Sequence, residues 1–411
     1  MTGPTPARAL LSAAAVRERA HAMLDLGLAG RLSHFSVDLD RLSACADEVI
    51  ATTRESYPDL DIPFHARWRH FAAGGFDRWG TLMQAEPFGD DGLKMGRAAY
   101  DLAIVSVLLD AGAGADWAYE EGRTGETYAR SEGLAVASFD MFIGGAFSSD
   151  PADPFRADAA ALAALTADEL AAGFQVGPGN PLVGLEGRAA LLNRLGQAVS
   201  NDPDTFGRGD LPRPGGLFDV LAGEAVDGTV PAPRILDALL THLGPIWPGR
   251  LTVDGVDLGD TWRHPMGPGE GQTAGLVPFH KLSQWLAYSL IEPLEWVGLT
   301  VTDVDGLTGL PEYRNGGLFL DTGVLRLKDE ADAGRPHEVG SPLVVEWRAL
   351  TVALLDRLAE VVRARLGLDA AALPLAKVLE GGTWATGRRL ARARRPGGAP
   401  PLQVISDGTV F

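Results

Sequence analysis

Along most of the chain, apolar residues recur at spacings of three and four, the period of amphipathic helices rather than of half-buried strands. The first such stretch covers residues 12–25, with Ser12 placed to cap it and Gly27 and Gly30 to stop it. A second covers 40–53, where Cys45 reads as a small buried hydrophobe. Residues 98–109 and 134–147 are apolar almost throughout and predict core helices. ADAAALAALTADELAAGF predicts a helix pair, the second opening on a capping box of Thr166 and Glu169. GLEGRAALLNRLGQAV, 233–243 and 346–366 continue the helical series. Strand signals are short and scattered: a hairpin turning at Asp254-Gly255, and a strand over 298–304 before an Asp-Gly turn at Asp305-Gly306. The pattern predicts a mainly α, multi-helix globular fold with a few short β-hairpins and no central parallel sheet. It is organised either as one α-rich domain over 1–411 or as two lobes, 1–200 and 201–411, meeting at a cavity that also receives PFHARWRHF.

The densest polar chemistry interrupts the most apolar helix. From Lys281, in KLSQWLAYSLIEPLEW, Lys281, Gln284, Tyr288 and Glu292 share one face, and Leu282, Trp285, Leu286 and Leu290 cover much of the rest. Such a stripe either lines a wet cavity or faces bulk water. Pro293 ends or kinks the helix. Further on, LPEYRNGG sets Glu312, Tyr313 and Arg314 before an Asn-Gly-Gly turn, with Asp321 beyond it. Read as extended, 312–314 places Glu312 and Arg314 on one face, where the guanidinium favours the ionised acid.

Composition narrows the class. The chain has 411 residues, 46% of them hydrophobic, and a formal charge of −18. That charge opposes a broad nucleic-acid surface, since binding there depends on neutralising phosphates. Cys45 is the single cysteine, which permits no internal disulfide. Neither a signal-like start nor an apolar run of about eighteen residues is present, so a cytoplasmic protein without membrane attachment is expected. QVGPGN lacks the lysine and hydroxyl of a phosphate loop, and no G-x-G-x-x-G opens a helix, which argues against a nucleotide-binding Rossmann domain.

Against this acidic background, His65, Arg67, Arg69, His70 and Arg78 form a local positive island. Its arginines are candidates for phosphate or carboxylate recognition, or are exposed helix residues. Asp140, alone in the apolar 134–147 stretch, must be paired, protonated or facing a cavity. Asp260, Trp262 and His264 leave the predicted hairpin together. Gly381, Gly382 and Thr383 offer backbone N–H groups near Arg388 and Arg389, either as an anion cradle or as an ordinary basic helix end. The closing SDGTVF is apolar enough at Val410 and Phe411 to dock.

IPFHARWRHF, LGDTWRH, PFHKLSQWLAYSLIEPLEW, LTGLPEYRNGG, LEGGTWATGR and SDGTVF together resemble the uracil catabolism protein four family of fungi and bacteria, catalogued as a domain of unknown function. The resemblance covers essentially the whole chain. It implies a role in the pyrimidine route in which uracil becomes its ribonucleotide, the ring is opened, and a ribosylated urea remains. A weaker similarity links LPEYRNGG to the aspartate-tyrosine-arginine segment of queuosine-salvage nucleoside glycosylases, helical proteins related in shape to DNA glycosylases. Glu312 stands where those enzymes carry aspartate.

Two chemistries follow. An N-ribosyl hydrolase acting on a phosphoribosyl urea needs a carboxylate at an oxocarbenium-like carbon and an acid for the leaving nitrogen. Glu312, Asp260 and Asp140 are the candidate carboxylates, and His264, His280 and Lys281 the candidate acids. Substrate contacts are expected from His65, Arg67, Arg69, Trp262, His264, Gln284, Tyr288, Tyr313, Arg314, Asp321 and Arg388. The alternative is a metal-dependent ureide or amide hydrolase with His264, His280 and one carboxylate as ligands, although no H-E-x-x-H or H-x-H spacing is present. A non-catalytic pathway partner is a third reading. The first predicts a small phosphorylated ribosyl substrate, no redox cofactor and no tightly held metal, and leaves the oligomeric state open.

Overall fold

Helices dominate the computed structural model, which describes residues 5–85, 87–110, 112–207, 211–247 and 250–405. The expected docking of SDGTVF concerns 406–411, outside the described residues. In chain order the principal helices are α1 (Ala13–Leu28), α2 (Leu42–Ser56), α3 (Gly92–Leu108), α4 (Arg130–Ile143), α5 (Leu185–Asn201), α6 (Ala232–His242), α7 (Lys281–Ser289), α8 (Ile291–Trp296), α9 (Tyr313–Thr322), α10 (Pro342–Leu366) and α11 (Trp384–Arg394). Every sheet among the described residues has two strands. The fold is therefore mainly α, as the periodicity predicts.

Local chemistry sets several of these boundaries. The Ser12 side chain accepts from the Ala15 N–H at 3.2 Å, and Gly30, at φ 70°, follows the last turn of α1. The hairpin pairs Thr252–Val253 with Val256–Asp257, and Asp254 and Gly255 both take the positive φ that such a two-residue turn demands. Thr166 and Glu169 form the reciprocal capping box. Thr166→Ala is expected to cost about 1 kcal/mol, read as a lower urea midpoint at unchanged m-value.

The chain divides into two compact units. The first comprises residues 1–65, 249–285 and 303–411. Its spine is α10, which packs against α1 and α2. Residues 343–355 of this helix are all buried, so its first half is a central rod, while 356–366 keep the half-exposed amphipathic face the pattern predicts. The start of α9 lies close against it because Gly316 carries no side chain: a Cβ there would come within 2.7 Å of the Trp347 ring. Cys45 is buried in the same unit, and burial pushes its thiol up to about 12, which leaves it inert as a nucleophile.

The second unit comprises 66–248 and 286–302. There α3 packs against α4, α8 and the helix Gly216–Glu224. The strand expected over 298–304 is Thr300–Thr302, paired in parallel with Thr229–Pro231. The break between α7 and α8 falls at Leu290, ahead of Pro293, whose ring clashes with the carbonyl four residues before it. That carbonyl, of Ser289, accepts instead from Trp68 Nε1–H at 2.7 Å.

Candidate active site

A carboxylate at the head of α9 organises the polar chemistry of the first unit. Glu312 is the N-cap residue: its Oε2 accepts from the Arg314 N–H at 2.8 Å and its Oε1 from the Asn315 N–H at 2.5 Å. Residues 313–322 are helical, so the Asn-Gly-Gly run is the first turn of α9 and not a hairpin turn. The extended reading of 312–314 fails for that reason. Arg314 accordingly points elsewhere, donating to the Gly398 carbonyl at 2.8 Å and lying over the Tyr313 ring.

Burial raises the Glu312 carboxyl above its ordinary value of 4.5, against the two backbone N–H groups and the positive charges of Lys281 and His65, which act in the opposite direction. Yet Glu312, Lys281 and Tyr313 all keep partial solvent exposure. A carboxyl both crowded by protein and partly exposed can meet a small molecule without leaving its helix cap. This combination separates Glu312 from an ordinary surface helix cap.

His65 lies in the same surroundings. Its Nδ1 is 2.7 Å from Glu380 Oε2, and Glu380 Oε1 accepts from Tyr57 Oη–H at 3.3 Å. The imidazole lies near both Trp285 and Trp384, each ring centroid 6.4 Å away. Arg388 lies over the Trp384 ring at 5.0 Å. Gln284, on the turn after Lys281, is buried and fixes Thr308 by accepting its backbone N–H at 3.0 Å and donating to its hydroxyl.

Asp260 sets where Lys281 begins its helix. Its carboxylate receives two hydrogen bonds from Arg348, at 2.8 and 2.7 Å, one from Trp262 Nε1–H at 2.8 Å, and one from the Lys281 N–H at 3.0 Å. Its backbone carbonyl also accepts from the Phe279 N–H at 2.9 Å. Although burial opposes its charge, Arg348 and these donors hold the carboxyl far below the usual carboxylate range. Asp260 is thus permanently ionised, which suits a structural anchor and not a proton donor.

Several predicted residues are committed to other contacts. His280 adopts φ 47°, a strained value for a non-glycine residue, and its Nε2 lies 2.9 Å from the Leu10 carbonyl. Burial lowers its pKa, which keeps the ring neutral. His264 lies 3.2 Å from Glu346, whose carboxylate also receives the Ser33 and His34 N–H groups. Asp321 is paired with Arg395 through two bonds of 2.7 and 2.6 Å. It stands nine residues along α9 from Glu312, about 13 Å of helix rise.

In the second unit, Arg67 is fully buried, bonded to Ser106 and the Ser131 carbonyl and paired with Asp110 at 3.1 Å. Arg69 pairs with Glu292 at 2.6 Å and Arg78 with Glu121 at 2.6 Å, so the positive island is matched by carboxylates. Asp140 receives Arg123 and the Tyr119 hydroxyl. Tyr288 is buried. Among the described residues, no group of three or more His, Cys, Asp or Glu side chains converges in the manner of metal ligands.

The glycines that could serve either as an anion cradle or as a basic helix end are closely packed. Leu379–Thr383 forms a π-helical turn leading into α11. A Cβ on Gly382 would come within 2.6 Å of both Thr53 and Val49, so this backbone is pressed onto α2. Glu380, in the same turn, is a site residue that sequence reasoning misses; its one local signal is that it directly precedes the Gly-Gly pair.

Comparison with known proteins matches nearly the whole chain. A family model described as "Protein of unknown function (DUF1688)" covers residues 9–411. Protein urg3 of Schizosaccharomyces pombe is 41% identical over 409 residues, spanning 98% of each chain. Uracil catabolism protein 4 of Lachancea kluyveri is 39% identical over 446 aligned positions, spanning all of both.

Proposed function

This chain belongs to the DUF1688 family, and from that membership and the Glu312 site we propose that it acts in uracil catabolism by hydrolysing the N-glycosidic bond of a 5-phosphoribosyl urea. The pathway rests on the name of the L. kluyveri relative, to which this chain is similar from end to end. The chemistry rests on one observation: a crowded yet solvent-reachable carboxylate, Glu312, influenced by Lys281 and His65.

Breaking the bond between C1′ and nitrogen leaves an electron-poor ribosyl centre with oxocarbenium character. A fixed carboxylate next to that carbon stabilises the charge as it develops, and because its backbone donors are already in place it needs no reorganisation. Glu312 takes a proton from the attacking water as the water oxygen bonds to C1′. The departing nitrogen carries off the bonding electron pair and receives a proton, giving urea and ribose 5-phosphate with one water consumed. Lys281 and Arg388 supply positive charge for the 5-phosphate, which a protein of net charge −18 must provide locally. Trp285 and Trp384 give apolar walls that exclude bulk water.

Incubating the purified protein with 5-phosphoribosyl urea is expected to release urea and ribose 5-phosphate in equal amounts. If the folded protein releases neither, with or without added divalent metal, the reading is overturned. Release that appears only with added metal favours the metal-hydrolase alternative.

A further inference from the structure

We propose that His65 delivers the proton to the departing nitrogen and that Glu380, carried on the π-helical turn, is the positioning residue that presents His65 for this step. The inference rests on the hydrolase reading above and deepens it.

The leaving group needs an acid, and the two histidines that the sequence offers for that role are held elsewhere: His280 against the Leu10 carbonyl, His264 against Glu346. His65 differs from both. Its Nδ1 faces Glu380 at 2.7 Å, and the turn that carries Glu380 also reaches Glu312 through Thr383 and Asn315. A carboxylate partner accepts, so the proton on Nδ1 stays with the imidazole and the transferable proton is the one on Nε2. After transfer the ring is left neutral as the Nδ1–H tautomer, still bonded to Glu380. The pair returns to its starting state when Nε2 is reprotonated from solvent or from the proton that Glu312 collected.

The backbone around Glu380 supports a positioning role. A π turn inserts one residue into a helix and is costly unless its surroundings fix it. Here Gly381 and Gly382 allow it to press onto Ile62, Val49 and Thr53, contacts that any Cβ would disrupt. The same turn carries Thr383, whose hydroxyl donates to Asn315 Oδ1 at 2.9 Å, and the Asn315 N–H is one of the two that hold Glu312. One turn therefore fixes His65 through Glu380 and Glu312 through Thr383 and Asn315. Tyr57, bonded to the other Glu380 oxygen, and the His65 N–H, bonded to the Ala376 carbonyl at 3.0 Å, restrain the pair further.

Two measurements test this on the full-length protein. Nitrogen-15 NMR of histidine-labelled protein is expected to show neutral His65 as the Nδ1–H tautomer, and Glu380→Leu to shift it towards the Nε2–H form. A wild-type Nε2–H tautomer, or one unchanged by Glu380→Leu in a folded variant, overturns the pairing. Kinetically, His65→Gln is expected to lower kcat on the order of a hundredfold, and Glu380→Gln roughly tenfold or more at little-changed KM. In the His65→Gln background, Glu380→Gln should add nothing, because it acts through the missing ring. An equal loss in both backgrounds overturns the positioning role. If the wild type does not cleave phosphoribosyl urea, the hydrolase reading fails, and the NMR arm still decides the His65–Glu380 pairing.

Discussion

Glu312→Gln is expected to lower kcat for 5-phosphoribosyl urea by on the order of a hundredfold or more, with KM changed little. Glutamine keeps the size of the side chain and one acceptor oxygen for the N–H groups of α9, so the helix start survives while the charge opposite the reacting carbon is lost. The ground state carries no positive charge at C1′, which is why binding should be spared. Wild-type activity in a folded variant rules out Glu312 as the catalytic carboxylate; Asp260 and Asp140, the other two carboxylates the sequence offers, would then have to act while paired with Arg348 and Arg123.

The same substitution has a signature in stability. Because burial raises the Glu312 carboxyl in the folded state above its ordinary value of 4.5, the native protein holds this proton more tightly than the unfolded chain. Stability from this group is complete below the unfolded value and declines as pH rises through the folded one. Glu312→Gln removes that decline, so the difference in thermal midpoint between variant and wild type should move in favour of the variant as pH increases from about 4 to about 7. Activity that depends on ionised Glu312 follows the opposite course, rising over the same window. A group whose ionised form serves the reaction while weakening the fold is what a functional carboxylate predicts, and a purely structural helix cap does not.

How far the sequence reveals this site depends on which interactions are local. Helices such as α1 and α2 are legible because capping and apolar periodicity are properties of adjacent residues. The start of α9 is not: Asn315, Gly316 and Gly317 carry a turn signature, but a helix wins because Gly316 lets the chain approach Trp347 of α10, thirty-one residues away. The π turn is hidden for a similar reason, since its glycines answer to Val49 and Thr53 on a helix more than three hundred residues earlier. Arg67 and Arg78 look like anion binders when only their own segment is in view. Their partners, Asp110 and Glu121, lie about forty residues on, and nothing local marks those pairs. Glu312, Lys281, His65 and Arg388 stand out by residue type and setting within their own segments, whereas Glu380 acquires a role only once His65 is placed beside it.

Breaking the buried Asp260–Arg348 pair with Arg348→Ala is expected to cost about 3–5 kcal/mol of stability, several times the loss of the Thr166 cap. Asp260 is a buried carboxylate with four donors, and Arg348 supplies two of them along with the compensating positive charge. The guanidinium also lies over the Phe279 ring at 4.1 Å, so its removal opens space as well as stranding a charge. In the wild type the carboxyl is depressed, so its contribution is present above the ordinary value of 3.8 and is lost as pH falls through the much lower folded one. Without Arg348, desolvation is left largely unopposed, the carboxyl rises, and the variant should become less stable as pH climbs through about 4, the reverse of the wild-type trend. Asp260→Asn combined with Arg348→Met removes both charges while keeping an acceptor oxygen for one of the Trp262 and Lys281 N–H groups, and should be more stable than Arg348→Ala alone. Calorimetry across pH distinguishes these cases: an Arg348→Ala transition within about 1 kcal/mol of wild type, or one that does not weaken with rising pH, shows that the pair is not the anchor.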